Sequence, residues 1–191
     1  EVNEDLPEEL RPLAEALKKG ILDAFYPNPK GLAYSPTGGT SPVKGQVIRY
    51  FREVHGVPLT EKDMDRVIAT TGGQQCMALA LRSLKPNTNV LLSQWDYSPI
   101  PGIIQEHGCR EVRVKVNENL SIDKEDLEKK VTRDSVFYLS MPNNPSGYVS
   151  SSDLETVAHT MSENSGGLIW DAPYLFTILR LTPTKAEFDK K

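Results

Sequence analysis

A chain of 191 residues with 22 basic and 26 acidic side chains carries a net charge of −4, and no block of like charge argues for nucleic acid or an anionic membrane as its partner. At 38% hydrophobic and 25% charged it has an ordinary globular balance, with no apolar run near the ~20 residues of a membrane helix and no secretory leader in its acidic first residues. Two cysteines, Cys76 and Cys109, and three scattered histidines exclude a disulfide framework and a zinc module. The expectation is therefore a cytoplasmic α/β domain, large enough to bury a core without staples.

Helical periods alternate with short β-branched runs along the chain. Residues 7–19 place Leu10, Leu13, Ala14 and Leu17 three or four apart, and residues 42–55 do the same with Val43, Val47, Ile48 and Phe51. Thr60, three before Asp63, opens a short turn ahead of an expected strand at 66–70. A helix follows at 74–84, with Met77, Leu79 and Leu81 expected in the core and Cys76 as a small buried residue. Then come a strand at 90–92, a helix at 99–107, a strand at 112–114, and a helix at 123–131 opened by Asp123 three before Asp126. A strand at 136–139, a helix at 152–164 opened by Ser152 three before Glu155, and a strand at 168–170 complete the series. Gly56, Gly108 and Gly166-Gly167 follow helical stretches, where left-handed C-caps are expected. Such alternation predicts a mostly parallel sheet covered by helices on both sides, a three-layer α/β/α fold with Val67, Ile68, Leu91 and Val136 in buried strands. The division expected is an N-terminal helical segment at 1–33, a large domain at 34–180 and a polar tail at 181–191.

Ligands of open α/β sheets bind beyond the carboxyl ends of strands, and four such ends carry distinctive residues. Thr70-Thr71-Gly72-Gly73-Gln74-Gln75 turns from strand to helix, where glycines allow close approach and the helix start offers N–H groups to phosphate. It is also a serviceable plain turn, and neither a Walker A loop nor a full dinucleotide fingerprint. Trp95-Asp96-Tyr97 offers an aromatic face for a planar ring, or core packing. Met141-Pro142-Asn143-Asn144-Pro145-Ser146-Gly147 offers an amide donor and acceptor, its direction fixed if Asn144–Pro145 is cis, or an ordinary loop of turn formers. Asp171-Ala172-Pro173-Tyr174 offers a carboxylate for a cationic nitrogen and a phenol beside it, or a capping Asp and a packing Tyr. Taken together the four describe a site for a flat, phosphorylated, nitrogen-containing ring.

This constellation resembles the class I/II aminotransferases, fold-type I enzymes dependent on pyridoxal 5′-phosphate (PLP), from about Tyr34 to Tyr174. Tyr34-Ser35-Pro36-Thr37-Gly38-Gly39 is similar to the family's Y-x-P-x-x-G segment, and Thr71-Gly72-Gly73-Gln74 to its phosphate loop. Pro142-Asn143-Asn144-Pro145-Ser146-Gly147 is similar to its N-P-x-N-P-[TS]-G signature, the most specific of the four, and Asp171-Ala172-Pro173-Tyr174 to its D-x-x-Y. Trp95 stands where the family usually has proline. The resemblance implies PLP as cofactor, with Gly72, Gly73 and Gln74 on its phosphate, Tyr97 stacked on the ring, Asn144 and Tyr174 on its O3′ oxygen, and Asp171 on the ring nitrogen. Asp171 and Tyr174 are the implied catalytic residues. A homodimer is implied too, Tyr34 reaching the phosphate of the neighbouring subunit, with α-amino acid and 2-oxo acid substrates. The family's Schiff-base lysine and its carboxylate-binding arginine come after the D-x-x-Y. Lys185, Lys190 and Lys191 lack the lysine's usual context, so the expectation is the PLP-cradling part of a longer aminotransferase, not catalytic alone. Alternatives are another fold-type I activity (lyase, decarboxylase or synthase), a non-catalytic PLP-binding regulatory domain, or a nucleotide-binding Rossmann-like module.

Overall fold

The apolar runs of the second half pair into one parallel sheet of four strands: β1 (Asn89–Ser93), β2 (Arg110–Val114), β3 (Val136–Ser140) and β4 (Gly167–Asp171), in the order β2-β1-β3-β4. This is a computed structural model, and it describes residues 8–25 and 34–175. The chain divides into two compact units, Glu1–Thr70 and Thr71–Lys191.

In the first unit a 3-10 turn at Glu8–Leu10 leads into α1 (Arg11–Phe25), and Pro42 sits in the first turn of α2 (Ser41–His55). Gly56 ends α2 in the left-handed conformation, as expected. The strand expected at 66–70 does not form. Residues Glu61–Arg66 make a 3-10 helix, held where the Asp63 carboxylate accepts the Thr60 N–H at 2.9 Å. Beyond it, Ile68 is 65% exposed rather than buried, and Ala69 N–H donates to the Gly38 carbonyl at 2.8 Å. β-branched composition favours extended backbone, but a strand also needs a partner, and no strand partner stands beside this run within its own unit among the described residues.

In the second unit α3 (Gly73–Arg82) and α4 (Ile100–Glu106) cover one face of the sheet, and α5 (Lys124–Lys130) and α6 (Ser151–Glu163) the other. Alternation along the strands separates two cores. Val90, Leu92 and Tyr138 meet Met77 and Leu81 of α3 and Ile100 and Ile104 of α4. Leu91, Phe137 and Leu139 meet Leu127 of α5 and Val157 and Met161 of α6. Each fully buried aliphatic side chain contributes about 1.5–3 kcal/mol. β3 is buried along its length, as a central parallel strand must be. The three-layer α/β fold expected from the alternation is the one observed. Among the described residues no helix is long and apolar enough to cross a membrane.

Three local expectations need correction. Cys76 and Leu79 are exposed, not core. Met77 and Leu81, four apart, turn toward the sheet, and at 3.6 residues per turn the positions between them rotate away. The N-cap of α6 is Ser150, which accepts the Asp153 N–H at 3.1 Å, rather than Ser152. Asp153 decides this register, because its buried carboxylate takes the Ile122 N–H at 2.8 Å and the Tyr148 hydroxyl at 3.2 Å. After α6 it is Ser165, at φ 54°, that takes the left-handed turn.

Gly166 serves a different need. A Cβ there would stand 2.6 Å from the Ser135 carbonyl and 2.6 Å from the Met161 methyl. Gly166→Ala should therefore lower stability by about 1–3 kcal/mol through overpacking, read as a lower urea midpoint. An unchanged midpoint would show that β4 shifts freely against β3.

Candidate functional site

The strand order reverses at β1 and β3: the chain goes outward from β1 to β2, then returns to the other side of β1 for β3 and β4. Such a reversal opens a crevice beyond the carboxyl ends of the strands. The residues following β1, β3 and β4 lie there, together with the start of α3.

Gly72 caps α3 at φ 83° and ψ 167°, a backbone state that L side chains rarely adopt. A Cβ on Gly72 or Gly73 would meet nothing within 4 Å, so open space lies before the helix start. The first-turn N–H groups of a helix have no carbonyl one turn back, and from this turn Gln75 Oε1 reaches back to accept the Thr71 N–H at 2.5 Å. The ten-residue helix behind them adds the positive end of its dipole. Gln74 Nε2 donates to the Tyr97 hydroxyl at 3.2 Å, tying the helix start to the loop after β1.

That loop is braced from within. Ser93 Oγ donates to the Trp95 carbonyl at 2.6 Å, and Asn143 Nδ2 donates to the same carbonyl at 3.2 Å. Asp96 Oδ1 accepts the Tyr97 N–H at 2.8 Å, while among the described residues its buried Oδ2 has no hydrogen-bond partner. Burial pushes the Asp96 carboxyl up to about 6, against the pull of the Tyr97 N–H and of Arg113, and Asp171 adds repulsion.

After β3 the two asparagines take separate parts. Asn143 is buried and folds the loop on itself, its Oδ1 accepting the Ser146 hydroxyl at 2.6 Å. Asn144 is partly exposed, with Nδ2 donating to the Tyr174 hydroxyl at 3.4 Å. Both Met141–Pro142 and Asn144–Pro145 are cis. At the end of β4, Asp171 Oδ2 accepts the Tyr138 hydroxyl at 2.5 Å. Burial foremost, and then the Asp171 and Asp96 carboxylates, push the Tyr138 phenol far above its ordinary range, so it keeps its proton and donates.

One cavity of about 220 Å³ is lined by Gly73, Gln74, Tyr97, Asn144, Asp171 and Tyr174, with Met77, Ser140 and Pro173 completing its wall. Gly72 stands one residue before it. Tyr34 belongs to the other unit, where it is fully exposed. Trp95 is 59% exposed and outside the cavity, which leaves Tyr97 as the aromatic of this loop that faces in. Sequence reasoning missed Tyr138 and the burial of Asp96. A phenol inside an otherwise aliphatic strand is the available signal, since a buried hydroxyl needs a partner. Among the described residues no group of three or more His, Cys, Asp or Glu is placed to hold a metal ion. The donor set instead suits a flat ring carrying a phosphate at one end, an acceptor oxygen on one side and a cationic nitrogen at the other.

The family model for "Aminotransferase class I and II" matches residues 3–177. No curated protein matches the chain. Among solved structures, an aspartate aminotransferase mutant from Thermus thermophilus is 23% identical with a TM-score of 0.71, over 89% of this chain and 45% of that one. An aminotransferase from Eubacterium rectale is 21% identical with a TM-score of 0.75, over 84% of this chain and 42% of that one. A PLP-bound aminotransferase from Clostridium difficile is 20% identical with a TM-score of 0.64, over 78% of this chain and 40% of that one. The chain thus spans less than half the length of these structures, and at such identity they speak for the fold.

Proposed function

The chain belongs to the class I and II aminotransferases, and from that premise we propose that its strand-end cavity is a cradle for PLP, in a protein that moves an amino group between an α-amino acid and a 2-oxo acid. The observation that carries this is the gathering of a phosphate-type helix start, an inward-facing tyrosine, an amide–phenol pair and a carboxylate around one cavity. When bound, PLP supplies an electron sink for the charge left when an amino acid loses its α-proton.

The chain's own residues divide the work. Gly72, Gly73 and Gln74 hold the phosphate at the N-terminus of α3, where the glycines leave the needed space. Tyr97 covers the ring, its hydroxyl anchored by Gln74. Asn144 and Tyr174, already paired with each other, share the ring's O3′ oxygen. Asp171 holds a proton on the ring nitrogen, which strengthens the sink, and Tyr174 stands beside the reacting face. In a homodimer, Tyr34 of one subunit reaches the phosphate held by the other, consistent with its full exposure. Among the described residues no lysine lines the cavity, and Lys185, Lys190 and Lys191 lie outside them. The 191-residue chain is therefore expected to bind PLP without a covalent bond and not to transaminate by itself.

The test is a PLP titration followed by absorbance, then borohydride reduction and mass spectrometry of the peptides. Saturable binding of one PLP per chain with no stoichiometric lysine adduct is the expected result. A folded chain that does not bind would overturn the cradle. A stoichiometric adduct on a single lysine would overturn the non-covalent part and make the chemistry self-contained.

A further inference from the structure

Tyr138 is a polar side chain set in the middle of a buried strand. It has no exposed surface, and its ring packs in the apolar layer with Met77, Leu81 and Ile104. Phenylalanine would fill the same space without a hydroxyl to satisfy, and an unpaired buried hydroxyl is costly. The hydroxyl has two acceptors within reach, Asp171 Oδ2 at 2.5 Å and Met77 Sδ at 3.5 Å. It has one proton to give, and a carboxylate accepts far more strongly than a thioether.

The register of the sheet makes the contact possible. Tyr138 lies opposite Ile169 and Ser140 lies opposite Asp171, so Tyr138 and Asp171 share a face of the sheet as diagonal neighbours. Asp171 lines the cavity and Tyr138 does not, so the phenol reaches the cavity only through the carboxylate. Asp171 closes an edge strand that is buried only in part. Among the described residues no lysine or arginine forms an ion pair with it. Among the described residues the strong anchor of its side chain is the Tyr138 hydroxyl.

We propose that Tyr138 is a positioning residue that fixes one carboxylate oxygen of Asp171 and leaves the other to pair with the protonated nitrogen of a pyridine ring. This rests on the reading of the cavity as a PLP cradle. Its consequence is selectivity: Tyr138 matters for a ligand with a ring nitrogen and is indifferent to one without.

The experiment compares the unaltered chain with Tyr138→Phe, titrating each with PLP and with the deaza analogue in which C–H replaces the ring nitrogen. The unaltered chain should prefer PLP. Tyr138→Phe should lose PLP affinity about tenfold, the scale of one hydrogen bond to a charged group, while its affinity for the analogue stays the same. An equal loss for both ligands would mean that the hydroxyl only supports the fold, and no loss for either would mean that Asp171 is held without it. Either result overturns the proposal. A second background guards against a merely unstable variant. Asp171→Asn keeps an acceptor for the phenol but removes the charge, so adding Tyr138→Phe to it should change PLP affinity less than twofold, and a further tenfold loss there would contradict the coupling. Failure of the cradle itself looks different. The unaltered chain would then bind neither ligand, or bind both equally and be indifferent to Asp171→Ala, and the proposal would fall with it.

Discussion

Asp171→Ala should bind PLP about a hundredfold more weakly than the unaltered chain. Truncating one member of a desolvated, hydrogen-bonded charge pair costs about 2–5 kcal/mol, much of it from leaving the other charge unpaired. In the proposed pose the ring nitrogen has Asp171 as its anionic partner, since this is the carboxylate that lines the cavity. The same substitution has a second effect that needs no ligand. It strips the buried Tyr138 hydroxyl of its 2.5 Å acceptor, which should lower the stability of the free chain by about 1–3 kcal/mol. Asp171→Asn separates the two effects. It returns an acceptor to the phenol, so stability should recover, and it supplies no charge, so affinity should not. Equilibrium titration and urea unfolding of the three proteins read both effects. Near-normal affinity in the alanine variant would remove Asp171 from the nitrogen's side of the cavity.

Asp96→Asn should stabilise the chain at alkaline pH and leave it unchanged in acid. The Asp96 carboxyl is pushed up to about 6, first by burial and then by the facing Asp171, while the Tyr97 N–H, Arg113 and Ser93 pull the other way. Unfolded, a carboxyl of this kind titrates near ~3.9. Between these values the native chain binds more protons than the unfolded chain, so stability falls as pH rises through the window. The loss approaches roughly 2–3 kcal/mol once Asp96 is ionised in the native state. Asparagine keeps the oxygen that accepts the Tyr97 N–H at 2.8 Å and carries no charge to bury. Urea unfolding of both proteins should therefore coincide near pH ~4 and diverge by about 2 kcal/mol above pH ~7. A difference that does not vary with pH, or a variant less stable at alkaline pH, would show that Asp96 is solvated.

These two carboxylates also mark the limit of what the linear sequence discloses. Runs such as Val90-Leu91-Leu92 and Val136-Phe137-Tyr138-Leu139 announce buried parallel strands because both faces must be apolar. The strand-end motifs can be read because parallel strands put all their carboxyl ends on one edge of the sheet. That is why Gly73, Asn144 and Asp171, far apart in sequence, line one cavity. Composition does not say whether a β-branched run has a neighbour to pair with, and residues 67–70 form no strand. Nor does it rank two nearby serines as caps: Ser150 wins because Asp153 is fastened to Ile122, thirty-one residues away along the chain. The Tyr138–Asp171 contact depends on strand register, and the orphaned oxygen of Asp96 on how a loop tucks in. Both are facts of tertiary packing that no local pattern carries.

The most direct test of the cradle is a ¹⁵N–¹H NMR titration of the chain with PLP. The account predicts saturable shifts concentrated at Gly72, Gly73 and Gln74, at Tyr97 and Asn144, and at Asp171 and Tyr174. Those at Asp171 should disappear when the deaza analogue replaces PLP. Shifts scattered over surface lysines, or gathered away from the carboxyl ends of β1, β3 and β4, would contradict it.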